Sequence, residues 1–141
     1  MVQPRFQLVP GARMGWAGGI GWRLLSANNR ELGRSAHAHP DAESALLDLG
    51  RVRVVAGSGT VHVVHEPRSG TWAWLLDDEG SLVATSGRGF RLERECRHNL
   101  ELFRVLAPTA PAAPGHCESP VPTPAARTQG QQNSTEAAGP R

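Results

Sequence analysis

The second half of the chain echoes the first at a fixed distance. Setting Leu24 against Leu75 defines an offset of 51, and it runs without a gap from Gly21–Ala56 to Trp72–Ala107. Identity is sparse: Leu24, Leu25, Ser35, Leu49, Arg53, Val54 and Ala56 have identical partners. The recurring order of residue types carries the repeat instead, and it restricts the chain to two copies of one small supersecondary unit.

In the second copy "VHVV" at 61–64 reads as a strand, "EPRSGT" as a hairpin connection, "WAWLL" at 72–76 and "SLVATS" at 81–86 as two further strands. Between the last two, "DDEG" supplies polar residues and a glycine that tolerate a turn's exposure and backbone angles. Leu92, Cys96, Leu100 and Phe103 then recur at i, i+4, i+8 and i+11, which predicts a helix with one apolar stripe over 91–103. "RVLA" at 104–107 either ends that helix or adds a strand. The first copy follows the same order: "FQLV" at 6–9, a Gly-rich link, a hairpin over Trp22–Ser35 turning at Asn28 and Asn29, and a helix over 40–52. Pro40 suits the first turn of that helix, and Ala42, Ala45, Leu46 and Leu49 form its expected buried face. "RVRVVA" at 51–56 alternates and is β-branched, so it is expected to be a strand.

The fold class predicted is therefore α+β: a tandem repeat of three-strand, helix, strand units forming one antiparallel sheet with two helices on one face. The units span 1–56 and 57–107, and residues 108–141 form a tail. That tail is rich in Pro, Ala, Thr, Gln and Ser, buries too little apolar surface to offset its ordering entropy, and is expected to be disordered.

Composition excludes several classes. No stretch reaches the roughly 18 apolar residues of a membrane-spanning helix, and "MVQPRFQLVP" lacks the apolar run of a signal peptide. The two cysteines, Cys96 and Cys117, lie far apart without neighbouring thiols, which disfavours a disulfide framework or a thiolate zinc site and points to the cytoplasm. All 15 basic residues are Arg and the formal net charge is only +2, so the arginine content reads as compositional bias and says little of nucleic acid.

The pattern resembles the YegP-like family, a domain of unknown function often present as a tandem pair. The residues that carry the resemblance are Trp22, Leu24, Asn28, Leu32, Ser35, Leu49 and Val52 in copy one, and Trp72, Leu75, Gly80, Val83, Ser86, Phe90, Leu100 and Phe103 in copy two. Departures are Asn29 and Glu79 at the turns, Asp48 and Asn99 before the helix-end apolar residue, and Trp22 standing one position out of register with Trp72 and Trp74. The resemblance covers about Phe6 to Ala107. It implies two units sharing one sheet with C-terminal strands exchanged, a pseudo-dimer in one chain that is monomeric or dimerises further. It brings no catalytic residues.

Candidate chemistry is thin. His37 and His39 form an H-x-H pair that a strand could turn toward one metal, but the offset sets His39 on Phe90 and His37 on Arg88, so His39 is expected to pack as an anchor. His62 and His65 have opposite strand parity and cannot share a ligand easily. Asp41 and Glu43 sit where a helix dipole favours them. "GARMGWAGGIG" lacks the Gly-Lys-Ser/Thr of a phosphate loop and leads into a strand, leaving Trp16 as a loop aromatic of interest. Arg88, Arg91, Arg94 and Arg97 recur every third residue and make a basic ridge, either a solvated face supported by Glu93–Arg97 or a phosphate contact.

These features predict a non-enzymatic interaction module with a protein partner and no catalytic, cofactor or metal residues. The alternative is a nucleic-acid-binding protein that uses the Arg-rich helix face.

Overall fold

A computed structural model of the chain describes residues 3–113. Cys117 and the greater part of the expected tail lie outside the described residues.

Six strands form one sheet: β1 (Arg5–Pro10), β2 (Ile20–Leu25), β3 (Glu31–Ser35), β4 (Thr60–Glu66), β5 (Thr71–Asp78) and β6 (Ser81–Thr85). Two helices, α1 (Ala42–Val55) and α2 (Glu93–Leu106), follow β3 and β6. Every strand pairing is antiparallel, and the order β1-β2-β3-β6-β5-β4 reads the same from either edge, with β3 and β6 at the centre. Both helices lie on one face. Trp22 and Trp74 point to that face, where the Trp22 indole donates to Asp48 of α1 and the Trp74 indole to Asn99 of α2.

The core forms around Phe103 of α2. Its ring stacks at 6.3 Å on Trp22 and lies 4.8 Å from Trp74, all three side chains being fully buried, so one side chain ties the two halves together. Gly33 permits this arrangement, since a Cβ there would stand 2.7 Å from the Phe103 ring.

Each hairpin carries a bulge at the same place. The register slips between Leu24 and Leu25 against β3, and between Leu76 and Asp77 against β6. The unpaired residues, Leu32 and Val83, are buried in the core, so each bulge turns one more apolar side chain inward. The gapless offset of 51 is corrected here. From Ser35 onward it holds, with Ser35 and Ser86, Leu49 and Leu100, and Val52 and Phe103 in like places. In β2 and β5 the offset is 52: the N–H groups of Trp22 and Trp74 donate to the hydroxyls of Ser35 and Ser86, and Ile20 bridges His39 as Trp72 bridges Phe90. The difference falls in the turns, because Ser26–Arg30 is one residue longer than Asp78–Ser81. Asn29 takes a left-handed φ of 66° in the first turn, and Glu79 and Gly80 take 52° and 88° in the second.

Arg51–Val55 is helix, not strand, and so the strand expected after α1 does not form. The alternation of "RVRVV" was a local signal; Ala45, Leu49, Val52 and Val55 extend a single buried stripe, and an established helix propagates along it. Leu46 belongs to the exposed side, contrary to expectation, because the stripe passes it by. Asp41 is the N-cap, accepting from the Ser44 N–H at 2.8 Å, which puts Pro40 before the helix rather than in its first turn. "RVLA" continues α2 to Leu106.

The strand expected to close the second unit is reduced to a short contact. Residues 108–113, assigned above to the tail, are held: Ala110 is buried, and Phe6 of β1 donates to the Pro111 carbonyl and accepts from the Ala113 N–H. An edge strand's unpaired backbone groups supply the reason. The two arginines at matching positions complete the exchange. Arg53 of α1 donates to the Ala110 carbonyl beyond α2, and Arg104 of α2 donates to the Ala56 and Gly57 carbonyls beyond α1. Arg104 thereby satisfies carbonyls at the C-terminal end of α1, and Arg53 one in the segment that follows α2.

Candidate functional site

The sheet face opposite the helices is unlike in its two halves. Across six strands one paired row runs Gln7, Arg23, Arg34, Thr85, Leu75, His62. On the first half its charges are mutually satisfied: Glu31 takes Arg34 at 2.7 and 3.1 Å and Arg23 at 3.7 Å, and Arg23 donates to Gln7. Part of this face is covered by the Gly-rich link, whose Met14 and Trp16 lie over Gly21; Trp16 is half-buried rather than a free aromatic.

The concave feature lies elsewhere, between the β2–β3 hairpin of one half and α2 of the other. It is a groove of about 740 Å³, within the range of small-ligand sites. Arg30 lines it from the hairpin, Arg88 from the loop before α2, and Arg94 and His98 from α2, over a floor of Leu32, Phe90 and Leu102. Alternation of the hairpin and the i, i+4 spacing of Arg94 and His98 bring these groups to one opening. Arg30, Arg88 and Arg94 have no ion-pair partner among the described residues. The Arg88 guanidinium lies 4.7 Å over the Phe90 ring, which fixes its plane and leaves its N–H edge free. Glu31 and Glu95 also line the groove, but both Glu31 oxygens are already held by arginines.

Asn99 is the buried polar group at the base. Its Oδ1 accepts from the Trp74 indole at 2.6 Å, so Nδ2 is the amide atom left for the groove, and it has no partner among the described residues. The predicted ridge is thus split. Arg88 and Arg94 line the groove, whereas Arg97 is paired with Glu93 at 2.7 Å and Arg91 lies outside. Asn99 was noted in the sequence only as a departure beside Asp48, and Arg30 and His98 were not singled out; the available signal is that Asn99 is the counterpart of Asp48 and His98 flanks it.

His37 and His39 are parted as the offset predicted. Nε2 of His39 lies 3.1 Å from Asp48 Oδ2, the oxygen that also accepts from the Trp22 indole at 2.7 Å, and His37 Nε2 lies 3.0 Å from the Leu82 carbonyl. His62 stands 3.8 Å from Asp77, while His65 lies against the Trp72 ring. No group of three or more metal-ligating side chains is present among the described residues, and no described helix is long and apolar enough to cross a membrane. Cys96 is buried in α2, and that burial pushes its thiol pKa up.

Among solved structures, the chain is similar to the solution structure of a protein of unknown function, YegP from E. coli. The TM-score is 0.68 at 11% identity, over 85% of this chain and 98% of that one. The two share a fold. No family model matches the chain, and no curated protein matches it.

Proposed function

We propose that the chain is a non-enzymatic binding module of the YegP-like family that takes an anionic partner into the groove between the β2–β3 hairpin and α2. The observation that carries this is the set of three guanidiniums, Arg30, Arg88 and Arg94, left without ion-pair partners in one opening above an apolar floor. Positive charge that the fold leaves uncompensated is a standing attraction for a negative partner. Apart from His98, the groove's donors are arginines and amides, which hold ligands but do not exchange protons at neutral pH. His98 and Glu95 stand on α2 without an orienting partner among the described residues, which favours binding over catalysis.

The module is assembled as a tandem pseudo-dimer, with repeats over 1–56 and 57–107, and works in the cytoplasm. Support for the pseudo-dimer comes from the palindromic strand order, the paired indole bonds to Asp48 and Asn99, and the reciprocal arginine contacts of Arg53 and Arg104. An extended nucleic-acid surface finds less support, since Glu93 neutralises Arg97.

Thermal-shift screening of the full chain against anionic metabolites, acidic peptides and oligonucleotides tests the reading. Hits are expected to vanish in Arg88→Ala/Arg94→Ala and to survive in Arg91→Ala/Arg97→Ala. Hits indifferent to Arg88 and Arg94 overturn it. Salt-dependent oligonucleotide retention lost only when Arg91 and Arg97 are removed would replace it with the helix-face alternative.

A further inference from the structure

The positions that line the groove have counterparts in the other half, and the residues there differ in a way that selects a ligand class. Positions 51 before Arg88, Phe90, Arg94, Asn99 and Leu102 are His37, His39, Glu43, Asp48 and Arg51. At those counterpart positions Arg51 of α1 pairs with Asp78 at the end of β5 at 3.1 Å, and His37, before α1, meets the Leu82 carbonyl of β6 at 3.0 Å. Side chains therefore bridge that region to the β5–β6 hairpin, and Glu43, Asp48 and Asp78 make it acidic. The groove has no such crossing contact among the described residues, and its equivalent positions are Arg94, Asn99 and Arg30-side hairpin residues.

Resting on the binding reading above, we infer that the groove binds one small organophosphate per chain, a phosphate monoester on a small apolar body, and that its counterpart region in the other half binds none. Charge matching selects the dianion. Arg30, Arg88 and Arg94 contribute three positive charges, Glu31 is already neutralised by Arg34 and Arg23, and Glu95 removes one, which leaves a surplus that a monocarboxylate satisfies only by half. Arginine forks suit phosphate oxygens bidentately, and the stacked Arg88 presents its fork without further loss of rotamer freedom. The body is read from the floor. Leu102 remains 37% exposed over Leu32 and Phe90, which are themselves buried, and a bare inorganic anion would leave the Leu102 surface wet. At its base the Asn99 amide, 7% exposed and free at Nδ2, offers a donor to a ring substituent or ester oxygen.

Amide-resolved NMR titration of the full chain with phenyl phosphate, benzoate and inorganic phosphate tests the inference. Phenyl phosphate is expected to bind at one site, to shift Phe90, Arg94 and Asn99, and to bind at least tenfold more tightly than either other probe. Affinity should fall tenfold or more in Arg88→Ala/Arg94→Ala with the melting temperature unchanged, and should stay constant in His37→Ala/Arg51→Ala. Benzoate binding as tightly overturns the dianion, and inorganic phosphate binding as tightly overturns the apolar body. Two equivalents bound overturn the asymmetry. If none of the probes binds while the anion screen yields hits lost in Arg88→Ala/Arg94→Ala, the ligand class is wrong and the groove stands; if both fail, both readings fall.

Discussion

Gly33 and Phe103 should be coupled, and a double-mutant cycle measures how tightly the two halves lock together. Gly33 lies on β3 of the first half and Phe103 on α2 of the second, both without exposure of consequence. A Cβ on Gly33 would stand 2.7 and 2.8 Å from two Phe103 ring carbons and 2.9 Å from Trp74, well inside the roughly 3.5 Å of a comfortable carbon contact. Neither ring can yield, since both are fully buried and touch each other. Gly33→Ala gains about 0.5–1 kcal/mol from chain entropy and loses about 1–3 kcal/mol to overpacking, so it should destabilise by about 1 kcal/mol. Phe103→Ala removes the ring between Trp22 and Trp74 and should cost about 3–5 kcal/mol. In the Phe103→Ala background the two closest contacts are gone and Trp74 gains room to shift from the third, so the added methyl should no longer destabilise, which gives a coupling of about 1–3 kcal/mol. Urea unfolding followed by tryptophan fluorescence and far-UV circular dichroism reads all four proteins, with Phe103→Val as a milder partner. Additivity within about 0.5 kcal/mol would refute the close approach.

Asp48 and His39 offer a second test. Asp48→Leu strands the Trp22 indole N–H and should cost about 1–3 kcal/mol, while Asp48→Asn keeps an acceptor, as Asn99 does for Trp74, and should cost less than half as much in the same urea assay. Asp41 makes a third. The Ser44 N–H holds its carboxyl below the usual carboxylate range, so its ionised form stabilises the fold above the unfolded-state pKa and that contribution disappears as pH falls through the lowered folded-state value. Melting temperatures of the native chain and of Asp41→Asn should therefore differ most near neutrality and converge in acid; a constant difference refutes the assignment.

The elements were legible where period and punctuation agreed. Cys96, Leu100 and Phe103 fall on one buried face as their spacing required, whereas Leu92, expected on the same stripe, is the N-cap of α2 and exposed; the turn at Glu79 and Gly80 forms where polar residues and glycine stood. Two features escaped for physical reasons. A β-branched alternation such as "RVRVV" reads as a strand locally, but tertiary burial of Val52 and Val55 decides its state. The register of Trp22 depends on where a turn takes up one residue, and the similar apolar runs of β2 and β5 allow either alignment. The groove was less legible still, because Arg30 and Arg94 come from different halves and only the central pairing of β3 with β6 brings them together. The every-third-residue arginines pointed at the right segment and the wrong face, since a spacing of three drifts around a helix of 3.6 residues per turn.

On the pseudo-dimer reading proposed above, joining two units in one chain lets corresponding positions diverge. Identical units related by a twofold axis must carry identical clefts, because one substitution appears in both. Here position 39 holds His and position 90 holds Phe, position 43 holds Glu and position 94 holds Arg, and position 51 holds Arg where 102 holds Leu. The first members of these pairs lie in the region that the Arg51–Asp78 and His37–Leu82 contacts cross, and the second members line the groove. The shared scaffold is kept by the residues that match: the indoles over Asp48 and Asn99, the serines under both indole strands, and the reciprocal contacts of Arg53 and Arg104. On the proposed binding reading Asn99 serves both scaffold and groove, whereas Arg88 and Arg94 serve the groove alone, so substitutions at Arg88 and Arg94 should alter binding without touching the core that Phe103 holds together.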